Sequence, residues 1–432
     1  TRRTSPGEPH PHRMSEEPLI LPTAFTQFSG GLQSYIAANG DLIVLPNARS
    51  GQLALLSAPV IIVAGVAFFV AGLARRRPIF IAPLIGLLIV VVTDFSSALS
   101  GASTLGAPRM VALASIFLAA SVLPRGRGAQ LGIAVVGLSV GLLSTILMLT
   151  DFSASVKNCR LDKCGPLGNL VLGITNGENV LGILLAASIS AAALIVRGRA
   201  RYVLVLYLVA MVWLSGSRTA TTTAVVIGAL VFLVRIGGES MPTKVQSRVI
   251  FGALTAGVSI GVLLPWTPLT SGEFTGRGDL WELAKSEIAS SPVFGFGGLT
   301  WGNQVSIGAL TRDEAYSVHN QWLDILYTSG AVGVFLFALM LVMGIAGSAR
   351  GYRSVSALLL APMVFTGILE RVWAFGLLDV WGWLAAATIL AFPPAAVQGT
   401  QIAEVRERSP KAKDSDRSGR SEDSHAGPRS AR

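Results

Sequence analysis

Three side chains in this chain have the type and the neighbours to act on a phosphate-bearing ligand: His319, Arg218 and Arg277. Of the four histidines, His10, His12 and His425 lie in polar end segments, so His319 is the one placed beside apolar sequence. It sits in SVHNQWLDILYTSGAVGV (317–334), with Asn320 and Asp324 within about one helical turn, close enough to orient an imidazole. An imidazole so held is suited to general-base catalysis near neutrality; the plain alternative is a surface histidine above a helix N-terminus. Arg218 lies in LSGSRTATTT (214–223), between two apolar runs, where Ser215, Ser217 and Thr219 could add donors facing an anion. It is either the base of a polar pocket or an interfacial arginine that snorkels to the surface. Arg277 opens GRGDLWELAKSEIA (276–289), where the free N–H groups of a helix start already favour an anion. Arginine also binds phosphate in a bidentate manner. Two arginines and one histidine on one face point to a phosphate-bearing lipid ligand and a proton acceptor.

The elements that must hold these residues are membrane helices. The chain is 51% hydrophobic and only 13% charged, with a mean hydropathy of +0.60, whereas a soluble domain carries about a quarter charged residues. This excludes an ordinary cytosolic or secreted globular enzyme and predicts an all-α polytopic membrane protein. A crossing helix takes roughly 20 apolar residues. Eleven runs qualify, near 53–73, 79–99, 109–124, 130–150, 169–196, 202–214, 219–235, 250–267, 325–346, 354–370 and 374–393, and a weaker twelfth covers 19–39. Basic residues mark alternate connections: Arg75, Arg76 and Arg77, then Arg125 and Arg127, then Arg197, Arg199 and Arg201, then Arg235, Lys244 and Arg248, then Arg350 and Arg353. The positive-inside rule makes those connections cytoplasmic. The sites at 218, 277 and 319 then face outward, and the protein is expected in a membrane that borders the cytoplasm.

The expected organisation is a disordered cytoplasmic arm over 1–18, a transmembrane domain over 19–393 and a disordered cytoplasmic tail over 394–432, the last Ser- and Arg-rich and without a burial pattern. No cleavable signal peptide and no internal repeat are expected. The longest connection, 268–324, is outward. Its Leu280, Trp281, Ala284 and Ile288 form one apolar face of a helix lying at the membrane interface, followed by SPVFGFGG (291–298), an aromatic turn. In GITNGENVLG (173–182), Asn176, Glu178 and Asn179 are costly at that depth unless they face a cavity or cap a broken helix. Glu370 and Arg371 read as a local ion pair; Asp94 and Asp379 have no evident partner. Cys159 and Cys164, in the outer loop DFSASVKNCRLDKCGPLG (151–168), are placed for a short disulfide in an oxidising exterior. Lys157, Arg160 and Lys163 make that loop basic, fit to attract an anionic glycan or to meet lipid headgroups.

Taken together, SGSRT, GRGDLW, SPVFGFG and HNQWLDILYTSGAVG resemble, in this order, the elements of the O-antigen ligase and polymerase superfamily: an SR turn, a GR…LW…SP stretch with spaced glycines, and an HN element leading into a glycine-bearing helix. ITNGENVLG looks like that family's upstream Asn-x-x-Gly element, with different residues before it. The resemblance covers roughly 165–390. It implies a helical, GT-C-like glycosyltransferase architecture with an extracytoplasmic loop domain, working without a metal or other cofactor. It implies transfer of a glycan from an undecaprenyl-pyrophosphate-linked donor to a glycan, lipid or protein acceptor. Carried over, His319 is the general base, Arg218 and Arg277 hold the pyrophosphate, and Ser217, Asn320, Asp324 and Asn179 support them. The cysteine loop is not part of the general pattern, which leaves the acceptor open. The expected partners are that donor, the acceptor and membrane lipids, with no nucleic acid. Two other readings stand beside this one: a transporter of a small solute or lipid-linked sugar, which requires ionisable residues near the membrane midplane, and a non-catalytic partner in cell-envelope assembly.

Overall fold

A computed structural model gives the fold of residues 50–101, 107–160, 163–175, 177–234, 243–268, 274, 276–298, 300–304, 308, 310, 317–376 and 380–394. The expected span at 19–39, the N-terminal arm, Asn176, Asp379 and the tail beyond residue 394 lie outside these residues. Each of the eleven apolar runs contains a helix: α1 (Ser50–Ala74), α2 (Ile81–Leu99), α3 (Ala107–Ala120), α4 (Arg127–Thr150), α6 (Glu178–Ile195), α7 (Ala200–Ser215), α8 (Arg218–Val234), α9 (Lys244–Leu263), α12 (Gln321–Ala346), α13 (Arg353–Thr366) and α14 (Val380–Leu390). Short helices α5 (Phe152–Ser155), α10 (Arg277–Ile288) and α11 (Thr300–Asn303) sit in the connections.

Five helical stretches among the described residues are long and apolar enough to cross a membrane: α2, α4, α6, α9 with its 3₁₀ turn to Trp266, and α12. Four shorter apolar stretches accompany them, Ala58–Ala74, Met110–Ala120, Ala200–Ser215 and Arg218–Val234. Large apolar side chains remain on the outside, Leu149 at 82% and Leu233 at 74% exposure, as on a surface that faces lipid. This is an all-α, multi-pass membrane protein. Helix α6 is its centre: 72% of its apolar stretch is buried, against 28% for α9. Its run of Ala, Ser and Gly lets neighbours approach closely; a Cβ on Gly182 would stand 2.7 Å from that of Ala220 on α8.

Three boundaries differ from the hydropathy reading. The run at 169–196 is helical only from Glu178; Asn169–Val171 is instead a strand, β2, antiparallel to β1 (Val156–Asn158), with Lys157 opposite Leu170. Buried Leu170 and Val171 supply the apolar signal that imitates a helix start. The run at 354–370 stops at Thr366, and Glu370 lies past the helix. In the last run the described helix is Val380–Leu390, and the irregular residues 371–376 include buried Val372, Trp373 and Phe375.

The aromatic turn SPVFGFG has a structural explanation. Helix α12 is interrupted at Gly330 (φ 64°, ψ −164°), and the backbone groups freed there are taken by the turn. Ala331 and Val332 donate to the carbonyls of Pro292 and Val293 (2.9 and 3.2 Å), while Phe296 and Gly297 donate to Tyr327 and Thr328 (both 2.8 Å). The helix breaks without orphaning its polar groups, as a membrane interior requires. A Cβ on Gly330 would lie 2.2 Å from the Val293 carbonyl oxygen, in a backbone region that disfavours any side chain. Gly330→Ala is therefore expected to combine backbone strain with overpacking, each ~1–3 kcal/mol. Thermal unfolding followed in detergent should show a midpoint lowered by several degrees; an unchanged midpoint would contradict this account of the break.

Helix α10 forms where the sequence places it, and its apolar face is covered by protein. Leu280, Trp281, Ala284 and Ile288 are buried in one cluster with Trp301, Val318, Leu323 and Tyr327. Trp281 Nε1 donates to the Val318 carbonyl at 3.0 Å. This bond ties α10 to the residue preceding His319.

Candidate active site

His319 and Arg277 converge on Glu370, which the sequence reading assigns only to a local ion pair. The Glu370 carboxylate accepts from His319 Nδ1 at 2.8 Å on Oε2. On Oε1 it accepts from Arg277 Nη2 in an ion pair and from Asn179 Nδ2 at 3.4 Å. Glu370, expected to pair locally with Arg371, thus also takes partners from remote elements, and Arg371 acts electrostatically on Asp324. The Glu370 side chain is 3% exposed, whereas Arg277 and His319 keep 14% and 17%. The carboxylate is thus enclosed while Arg277 and His319 remain reachable from outside. Burial by itself would raise the pKa of Glu370; the hydrogen bond from His319 and the charges of Arg277, His319 and Lys163 outweigh it and hold the carboxyl below its usual range.

His319 has a left-handed backbone (φ 58°), uncommon for any residue with a side chain. Its surroundings enforce it. Its own N–H donates to Ser317 Oγ (3.2 Å), and Trp281 holds the Val318 carbonyl. Asn320 accepts from the Leu323 N–H (2.8 Å), capping α12, and donates to the carbonyls of Gly261 and Ile368 (both 2.9 Å). Strain maintained in this way collects at functional sites. The amide of Asn320 is therefore occupied in fixing the backbone, and the imidazole takes its orientation from Glu370. Asp324, in the first turn of α12, is buried within the fields of Arg371 and His319. Gln321, not singled out from the sequence, binds the segment after Glu370: Oε1 accepts from Val372 (2.9 Å) and Trp373 (2.8 Å), and Nε2 donates to the Trp373 carbonyl (3.0 Å).

The other wall comes from α6, the α7–α8 turn and the hairpin. Asn179 Oδ1 accepts from Ser217 Oγ (2.9 Å) and from Lys163 Nζ (2.7 Å). Lys163 also pairs with Glu178 at 2.8 Å. Arg218 follows the buried Ser217 as the first residue of α8 and is exposed. Cys159 and Cys164 are joined as a disulfide at the tip of the hairpin, with Cα atoms 4.7 Å apart. Among the described residues, no three His, Cys, Asp or Glu side chains converge in a metal-ligand arrangement.

Glu370, Lys163 and Gln321 are residues that sequence reasoning missed as components of the candidate site. The one available signal was a carboxylate beside an arginine at the outer end of an apolar run, and it read as self-sufficient. Residues 202–338 match the O-antigen ligase family, a stretch that contains Arg218, Arg277 and His319 but not Lys163, Asn179 or Glu370. No curated protein matches the chain.

Proposed function

We propose that this chain, whose residues 202–338 match the O-antigen ligase family, acts in assembly of cell-surface polysaccharide and transfers a glycan from an undecaprenyl-pyrophosphate-linked donor to an acceptor at the outer face of the cytoplasmic membrane. The observation that carries this reading is the hydrogen bond between His319 Nδ1 and the Glu370 carboxylate. An ionised carboxylate only accepts, so Nδ1 carries the hydrogen and Nε2 is the nitrogen that takes a proton.

The acceptor hydroxyl attacks the anomeric carbon as Nε2 removes its proton. The bond from that carbon to the pyrophosphate oxygen breaks, and the electron pair leaves with undecaprenyl pyrophosphate. The configuration at carbon inverts, and the imidazolium later yields its proton to water. Arg218 and the outward side of Arg277 meet the charge that grows on the leaving group, where fixed cations in a site shielded from water are most effective. Glu370 pairs with Arg277 and keeps it in place.

The test is reconstitution in liposomes with a defined undecaprenyl-pyrophosphate-linked glycan and an acceptor lipid or glycan, scoring product and released undecaprenyl pyrophosphate together. Arg218→Ala is expected to lower turnover by roughly 10–10³-fold, the scale of losing one electrostatic stabiliser. Release of neither product by the wild type with any acceptor class would sink the proposal. In the native host, a ligase variant should accumulate long lipid-linked polymer and a polymerase variant single repeat units.

A further inference from the structure

The basic cysteine hairpin has no part in the scheme above, yet it sends a side chain into the site. Lys163 immediately precedes Cys164, and its backbone pairs with Arg160 across the tip (N–O 3.2 and 2.9 Å) inside the ring closed by the disulfide. Its side chain is 8% exposed, unusual for a lysine in a surface loop, because the stem runs inward to the first turn of α6. The loop reads as a feature for meeting glycans or lipid headgroups, but this member of its three basic residues is spent internally.

We propose that Lys163 is a positioning residue for glycan transfer, locking the Asn179 amide so that its NH₂ faces the Glu370 carboxylate that holds His319. This rests on the role of His319 proposed above. An ammonium group only donates, so the Asn179 oxygen must face Lys163 Nζ (2.7 Å), and Ser217 Oγ reinforces the same orientation (2.9 Å). The amide nitrogen is thereby turned toward Glu370 Oε1, at 3.4 Å. Without Lys163 nothing that can only donate holds the amide oxygen, and a flipped amide would set that oxygen against the carboxylate. The second bond of Lys163, to Glu178, holds the ammonium against the first turn of α6. Burial lowers the pKa of Lys163, and Glu178 and Glu370 oppose that shift. One lysine thus holds both Glu178 and Asn179 on the first turn of α6 and acts on Glu370 through Asn179, and the disulfide-closed hairpin delivers it.

The experiment uses the full-length protein in the reconstituted transfer assay, with His319→Ala as the inactive reference. Lys163→Met keeps the stem without the donors and is expected to lower kcat at least tenfold with KM for the donor within threefold. Lys163→Arg, which can bridge Glu178 and Asn179, should recover kcat to within threefold of wild type. The double variant Lys163→Met/Asn179→Ala should be no worse than the worse single variant, since both remove one link. Full activity of Lys163→Met, or multiplicative losses in the double variant, would overturn the proposal while an inactive His319→Ala keeps the site reading intact. Should Lys163→Met not accumulate, the isosteric Asn179→Asp decides: a loss of tenfold or more supports the orientation claimed, and full activity refutes it. A wild type that makes no product would remove the functional reading and this inference together.

Discussion

Replacement of His319 by alanine is expected to lower kcat for glycan transfer by roughly 10²–10⁴-fold, the contribution of a positioned general base. The donor should still bind, because the arginines assigned to the pyrophosphate remain. The fold should tolerate the change: the backbone at 319 is held by Ser317, Trp281 and Asn320 and not by the imidazole. Reconstituted transfer measured at saturating donor, alongside a thermal-unfolding midpoint, separates the two effects. Wild-type kcat in a properly folded His319→Ala protein would exclude the imidazole from the chemistry and reopen the reading of a non-catalytic assembly partner.

Glu370→Gln should be nearly as damaging, on the order of 10²-fold or more in kcat, although Glu370 touches neither substrate in the proposed mechanism. Three donors converge on this carboxylate: His319 Nδ1, Arg277 Nη2 and Asn179 Nδ2. A carboxylate can accept from all of them, but a glutamine amide must present its NH₂ to one side. If the NH₂ faces His319, the imidazole shifts to the tautomer with hydrogen on Nε2 and can no longer take a proton there. If it faces Arg277, the guanidinium loses its ion pair and its position at the pyrophosphate. Either way kcat falls, with KM for the acceptor little changed. The linkage to pH has a definite sign. The carboxyl of Glu370 is held below its usual range in the folded protein, so its pairing contributes stability above the ordinary carboxylate pKa, and that stability is lost as pH falls through the folded value. Glu370→Gln should remove that part of the acid sensitivity. Unfolding midpoints of both proteins across the acid range check it, and identical acid profiles would contradict the pairing.

Much of this architecture is legible in the sequence, and the failures are informative. The apolar runs locate the helices because transfer of a side chain from water to lipid depends on its own composition, whatever its neighbours. The same logic misplaces the start of α6, because buried Leu170 and Val171 in a short strand have the hydropathy of a helix. The apolar face of α10 is legible from its periodicity, but periodicity cannot distinguish burial against protein from burial in an interface. Asn320 and Asp324 look like partners of His319 because they are close in sequence. Asn320 instead spends its amide on the α12 cap and on Gly261 and Ile368.

The sequence by itself determines that this is a helical membrane protein, and its residue types single out His319, Arg218 and Arg277 as candidates for chemistry. Those are one-body properties of composition, charge and local spacing. Only the tertiary structure decides that Glu370 binds both His319, 51 residues away, and Arg277, 93 away, and that Lys163 fixes Asn179, which meets Glu370 across 191 residues. No local pattern encodes such pairings. They arise because packing buries a carboxylate among helix ends that the chain brings together from remote positions, and a buried carboxylate must find donors wherever the fold supplies them.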